Sequence, residues 1–333
     1  MNVSPQVIKP KVSVIIPVYK VEEYIERCAR SLFEQTLDEI EFLFVDDCTP
    51  DKSIEVLNRV LKDYPRRKQQ VVIHRMENNS GQAAVRKWGM QNATGEFVTH
   101  CDSDDWVDRD IYEQLYITAV KNDADIVYYD YYISDGNKHT TSHRLKESFN
   151  DKYDVLRLLL STRLTGSVCC SFFRRSLYKD NFTYPTADMG EDLAMMVQMV
   201  YNSSKNITYL PQPLYYYRTN MNSISNQATE ANILRKLNDN IINGDQMFTF
   251  LQNMGLADEM PHEIELYKFM VRKNLLSLLG KKGYYNKWDS CYPEINRHFL
   301  FNKVASMHDK LLFMICRFRC YHLLSLLNNR KSK

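Results

Sequence analysis

"VSVIIPVYKVEEYIERCARSLFEQTLDEIEFLFVD", residues 12–46, places two short apolar runs on either side of a stretch with helical spacing. "VSVIIPVY" (12–19) is rich in β-branched residues and carries Pro17 near its end, which predicts a buried strand. Residues 21–36 set Tyr24, Cys28, Ser31, Leu32 and Gln35 about a turn apart, which predicts a helix. "IEFLFVD" (40–46) reads as a second strand. Two buried strands joined through a helix make a parallel βαβ unit, because parallel neighbours need a long crossover.

The pattern repeats outward. A helix is expected at 52–64, a strand at 70–76, a helix at 81–92, a strand at 95–101, a helix at 109–122 and a fifth strand at 124–133. This alternation predicts an α/β fold, Rossmann-like, with a mostly parallel sheet covered by helices. Residues 135–165 read as polar and irregular, 166–178 as a strand and turn, about 191–201 as a helix, and 207–210 and 213–217 as short strands. From Thr229 to about Leu327 only helices are expected. The chain therefore divides into residues 1–228 and an all-helical extension, 229–333.

Open α/β sheets bind ligands beyond the carboxyl ends of their strands. Asp46 and Asp47 end the second strand, and Asp102, Asp104 and Asp105 end the fourth, in "FVTHCDSDDWVD" (97–108). Acids side by side repel one another. Helix capping would account for Asp108 and Asp105, but one cap needs one acid. A divalent cation would account for Asp102 and Asp104, and hard oxygen ligands suit Mg2+ or Mn2+ with substrate phosphates completing the shell. The chain has no G-x-x-x-x-G-K-[ST], no G-x-G-x-x-G after its first strand and no H-E-x-x-H. That argues against P-loop, dinucleotide-binding and histidine-metal chemistry.

Composition adds bounds. With 333 residues, 44% of them hydrophobic, the chain can bury a sizeable core. The net charge of +2 is unevenly spread: residues 1–228 hold 27 Lys and Arg against 31 Asp and Glu, and residues 229–333 hold 16 against 10. Eight cysteines without a C-x-x-C pair predict reduced thiols. No basic segment followed by an apolar one opens the chain, and no run of about 18 apolar residues occurs, so neither a leader nor a spanning helix is expected. The expected location is the cytoplasm.

Residues 12–53 resemble the opening of the family 2 glycosyltransferases, which have the GT-A fold. The likeness continues through "NNSGQAAVRKWGMQNATGEFVTHCDSDDWV" and "MGEDLAMMVQMV" to "LYYYRTNMNSIS", covering about residues 12–226 in the family's motif order. Two departures stand out: Lys20 where Asn commonly follows P-V-Y, and Lys87–Trp88 after Arg86 where Asn is usual.

The resemblance implies roles for the matching positions. Pro17, Val18, Tyr19 and Asp47 would form the nucleotide pocket, with Asp47 accepting from a uracil N–H. Arg86 would lie near the nucleotide or its phosphates, although alone it reads as an exposed helix residue. Asp102, Ser103 and Asp104 form the D-x-D, with Asp102 near the ribose or sugar and the metal on Asp104, beside Asp102. Asp192 matches the catalytic base, and Arg218 lies in a segment that closes over the donor. Alone, Glu191 and Asp192 read as first-turn acids. The implied function is inverting transfer of a hexosyl or N-acetylhexosaminyl group, with a Mn2+ or Mg2+ cofactor. The donor would be a nucleotide-diphosphate sugar, most simply a UDP-sugar. The acceptor would be a hydroxyl of a glycan or lipid-linked glycan in surface polysaccharide synthesis. The alternatives are a nucleotidyltransferase with a similar acidic site and a sugar-nucleotide-binding module without catalysis.

The tail, "HDKLLFMICRFRCYHLLSLLNNRKSK" (308–333), alternates Leu and Phe with basic residues. It reads either as a helix packed on the catalytic domain or as one lying on an anionic membrane surface, peripheral to the inner face. Its aromatics do not interleave with a basic stripe, so no nucleic-acid partner is expected.

Overall fold

The computed structural model describes residues 9–142, 145, 148–179, 181–219 and 229–324. Its first half follows the alternation: β1 (Val12–Val18), α1 (Ile25–Phe33), β2 (Ile40–Asp46), α2 (Ser53–Leu61), β3 (Val71–Arg75), α3 (Gln82–Asn92), β4 (Phe97–His100), β5 (Trp106–Val107), α4 (Ile111–Lys121) and β6 (Ala124–Ser134). There follow β7 (His139–Ser142), α5 (Lys152–Leu160), β8 (Ser171–Arg174), α6 (Glu191–Asn202) and β9 (Asn206–Arg218). The last helices are α7 (Glu230–Asn253), α8 (Pro261–Lys273), α9 (Tyr284–Ser290) and α10 (Met307–Arg317).

The strands form one mixed sheet in the order β3-β2-β1-β4-β8-β6-β9-β5, with β7 added on β6. β1, β2, β3 and β4 pair in parallel, and so do β6 and β9. β8 is antiparallel to both β4 and β6, so these two run the same way with β8 reversed between them. The carboxyl ends of β1, β2, β4, β6 and β9 therefore share one edge. Burial explains the apolar runs, since β1 is covered on both faces. α1 buries Ile25, Cys28, Ala29, Leu32 and Phe33, a single helical stripe. Phe33 meets Phe42 and Phe44 of β2 edge-on at 5.7 and 5.9 Å.

Residues 135–165 are not irregular. They contain β7 and α5, whose Asp151 side chain caps the helix by accepting from Tyr153 N and Asp154 N. The two short strands expected around Pro211 and Pro213 are one strand, β9, whose register against β6 shifts beside Asp130. Proline cannot donate to a ladder, so the pairing slips at the bulge instead of ending. Residues 220–228, where the sequence division and the end of "LYYYRTNMNSIS" fall, lie outside the described residues, as do 325–333 of the tail.

Both departures from the family pattern sit in defined local settings. Lys20 has φ +54°, a left-handed conformation that Asn adopts more readily than Lys, and its N–H donates to Thr49 Oγ1 at 2.8 Å. Trp88 stacks on His74 of β3 at 3.9 Å between ring centres.

Candidate active site

The glycine turn before α3 organises the acidic end of β2. Asp47 N donates to Val18 O, and the Asp47 carboxylate accepts from Ser80 N at 2.7 Å and Gly81 N at 3.0 Å. Each oxygen keeps a lone pair for a further donor. Gly81 has φ +86°, and a Cβ there would lie 2.5 Å from Asp188 Oδ1. Asp188 in turn accepts from Ala83 N at 3.2 Å. Two carboxylates from distant segments thus meet the start of one helix, where free N–H groups favour negative charge.

Arg86 is not exposed. Its side chain is 1% accessible and is aimed at three carboxylates. Nη2 donates to Asp102 Oδ1 at 2.9 Å, and Nη1 donates to Glu191 Oε1 at 2.7 Å and to Asp192 Oδ1. Gln82 Nε2 also donates to Asp102 Oδ1, at 3.3 Å, and Val168 N donates to Asp192 Oδ2 at 3.4 Å. Burial works against the guanidinium charge, but Asp192, Asp102 and Glu191 together hold its pKa well above the ordinary value. Burial pushes the Asp192 pKa up while Arg86 draws it down, leaving the carboxyl a stronger base than a solvated aspartate. Glu191 is likewise raised, by burial and then by Asp192.

The three neighbouring acids have separate environments. Asp105 is buried, accepts from Tyr215 Oη and from Arg218 N at 2.7 Å, and is pushed up by burial, Asp104 and Asp102. Asp108 accepts from Tyr216 Oη at 3.0 Å. Neither carboxylate caps α4: cross-strand tyrosines and the β9 backbone take their lone pairs first. Asp104 is different. No other described residue hydrogen-bonds or ion-pairs with its carboxylate, and burial followed by Asp102 pushes its pKa up to about 6.

The remaining positions lie on the rim or behind it. Tyr19 is exposed at the end of β1, whereas the Val18 side chain is fully buried, so only its main chain faces the edge. Pro17 is half-buried and Ser103 buried. The Arg218 guanidinium lies over the Tyr24 ring at 4.2 Å, and its charge reaches Asp104. Tyr215, Glu191, Asp188 and Gln82 are contributors that motif reading passes over. The Arg86 position had a signal, since Ala83, Arg86, Gly89 and Met90 fall on one face of α3 and all are buried.

The loop ahead of α6 is braced from outside the sheet. Asn243 of α7 accepts from Ala187 N at 3.3 Å and donates to Ala187 O at 2.7 Å and Met189 O at 3.0 Å. Gln246 donates to Thr183 O and Tyr184 O.

The model of the family described as glycosyl transferase family 2 matches residues 13–182, just over half of the chain. This chain belongs to glycosyl transferase family 2. As a family 2 member it is 32% identical over 276 residues to the glycosyltransferase GlyA of Streptococcus pneumoniae, a match taking in 80% of this chain and 38% of GlyA. The chain thus spans well under two thirds of that relative's length. Among solved structures, residues 1–349 of S. aureus TarS in complex with UDP-GlcNAc align with a TM-score of 0.71 at 19% identity, over 97% of this chain and 92% of the TarS chain. The mannosyltransferase PcManGT from Pyrobaculum calidifontis, in complex with GDP-Man and Mn2+, aligns with a TM-score of 0.51 at 17% identity, over 91% of this chain and 90% of its own. These likenesses show the GT-A fold of the family 2 chain.

Proposed function

We propose that this protein transfers a sugar from a nucleotide-diphosphate sugar to a hydroxyl, with inversion at the anomeric carbon. The observation that carries the reading is Arg86, which draws Asp102 of the D-x-D and Asp192 of "GED" onto one guanidinium at the sheet's carboxyl edge. Asp192 takes the proton of the attacking acceptor hydroxyl. The acceptor oxygen bonds to the anomeric carbon as the bond to the donor diphosphate breaks, and a single in-line displacement inverts the configuration. Arg86 keeps Asp192 aimed and limits how far burial raises its pKa.

The donor is proposed to be a UDP-sugar, supported by the TarS complex with UDP-GlcNAc. The nucleotide would lie along Pro17, the Val18 main chain, Tyr19 and Asp47, with Arg218 over the diphosphate. The residues present fit a divalent cation held chiefly by Asp104. Its carboxylate is burdened by Asp102 and hydrogen-bonded or ion-paired by no other described residue, and among the described residues no group of three acids, histidines or cysteines forms a complete cage. Mn2+ or Mg2+ suits one or two carboxylates plus phosphates, and PcManGT binds Mn2+ with GDP-Man. Bound there, the cation would supply charge neutralisation for the leaving diphosphate. The acceptor is proposed to be a glycan or lipid-linked glycan.

Asp192→Asn should abolish transfer from a UDP-sugar while UDP affinity by calorimetry stays close to the parent's. Undiminished turnover would remove Asp192 from the role. Release of UDP from a UDP-sugar, and not of pyrophosphate from a nucleoside triphosphate, separates this reading from a nucleotidyltransferase. The absence of any metal-dependent turnover would leave a binding module.

A further inference from the structure

We infer that the outward face of α10, with the turn that precedes it, docks on an anionic lipid bilayer. The helix is apolar on two sides. Leu312, Phe313, Ile315 and Cys316 face inward, and Phe313 packs on Phe299 at 4.9 Å and Phe269 at 5.8 Å. Those contacts are to α8 and the turn at Phe299, within residues 229–333. They do not account for Met307, Leu311 and Phe318. At about 100° per residue these three fall within roughly 40° of one another on the opposite side.

They are exposed. Met307 is 80% accessible and Phe318 72%, and Phe301, in the turn that holds Phe299, is 79%. These are the three most accessible large apolar side chains among the described residues, and all lie within 18 residues of chain. Isolated exposed apolar groups are ordinary, but a stripe aligned along one helix marks a contact surface.

The charge around the stripe selects the occupant. Lys303, Arg317 and Arg319 are exposed and Lys310 half-exposed, with Arg317 paired to Asp289 at 2.7 Å and the other three, ion-paired to no described residue, carrying the rim's free charge. From Arg297 to the end of the sequence there are eight basic residues and one acid, Asp309. Asp309 is buried and engaged by Lys273 at 3.2 Å and by Ser306 Oγ. A second copy meeting this surface across a two-fold axis would set basic rim against basic rim. An anionic bilayer takes the apolar stripe at its acyl boundary and the basic rim at its headgroups. No described helix is long and apolar enough to cross a membrane, so the contact is with the surface.

Vesicle flotation of the full chain tests this, with phosphatidylcholine vesicles set against vesicles containing phosphatidylglycerol. The protein should float only with the anionic vesicles, and less as salt rises. Phe301→Ser/Met307→Ser/Phe318→Ser should remain at the bottom of the gradient. Lys303→Gln/Lys310→Gln should weaken binding about 25-fold, since each lost basic residue is worth roughly fivefold, the ratio corresponding to ~1 kcal/mol. Thermal unfolding of both variants should match the parent, because every changed side chain faces outward. Failure of the parent to float, or flotation undiminished in either variant, overturns the proposal. A dimer seen by light scattering and split by the triple variant, without vesicle binding, would assign the face to a second copy and overturn it equally. UDP affinity plays no part in the readout, so the outcome is independent of the active-site reading.

Discussion

Replacing Asp104 by Asn should make the protein more stable at neutral pH. In the folded chain the Asp104 pKa is pushed from 3.8 to about 6, by burial and then by Asp102. At about 1.4 kcal/mol per unit, the ionised carboxylate costs the fold at most about 3 kcal/mol. The site is only partly enclosed and the surroundings respond to charge, so a gain of ~1–2 kcal/mol is the working expectation. The sign follows from the raised pKa. Between about pH 4 and pH 6 the folded state binds a proton that the unfolded state has released, so the parent loses stability as pH rises through this window. Below it both states are protonated, and above it the full cost is present. Urea denaturation of parent and Asp104→Asn across that range should show curves that nearly coincide in acid, separate between about pH 4 and pH 6 and then run parallel. Equal stability at neutral pH, or a gap that widens toward acid, would refute the reasoning. The same substitution should remove any Mn2+-dependent strengthening of UDP binding.

Arg86→Lys should lower stability by about 3 kcal/mol or more, because one ammonium cannot span three carboxylates and leaves buried charge unmatched. A melting temperature close to the parent's would contradict this. Gly81→Ala should cost about 2 kcal/mol or more, since its Cβ would press on Asp188 at a positive φ, and UDP affinity should fall as Asp47 shifts with the turn. Unchanged denaturation and UDP titration curves would count against it. Asn243→Ala should cost ~2 kcal/mol through three lost hydrogen bonds and should lower kcat with little change in donor KM. A change confined to KM would separate Asn243 from the placement of Asp192.

In the parallel half of the sheet β1 and β2 were legible because strands buried almost throughout are written as nearly continuous apolar runs beside a helix with a buried stripe, and β3, partly exposed at the sheet edge, still shows as a short β-branched run. β8 was legible as a strand but not in its direction, since four residues contain nothing that says which neighbours they will pair with. α5 was hidden by the polar chain before it, although Asp151 and the leucines of "DKYDVLRLLL" hold a cap and an apolar face. At the site, the acids at strand ends could be read because their crowding needs an explanation. Arg86 could not be read in the same way. Its meaning depends on Glu191 and Asp192, more than a hundred residues further along, and only the folded chain brings those charges to it.

The Asn243 clamp bears on how this chain can be re-engineered. A chimera that takes the sheet from one parent and everything from α7 onward from another would inherit, ahead of the helix that carries the proposed base Asp192, a loop whose anchors belong to a stranger. Unless Ala187, Met189 and their α7 partner travel together, such grafts should fold yet turn over poorly, whatever acceptor the borrowed helices were meant to bring.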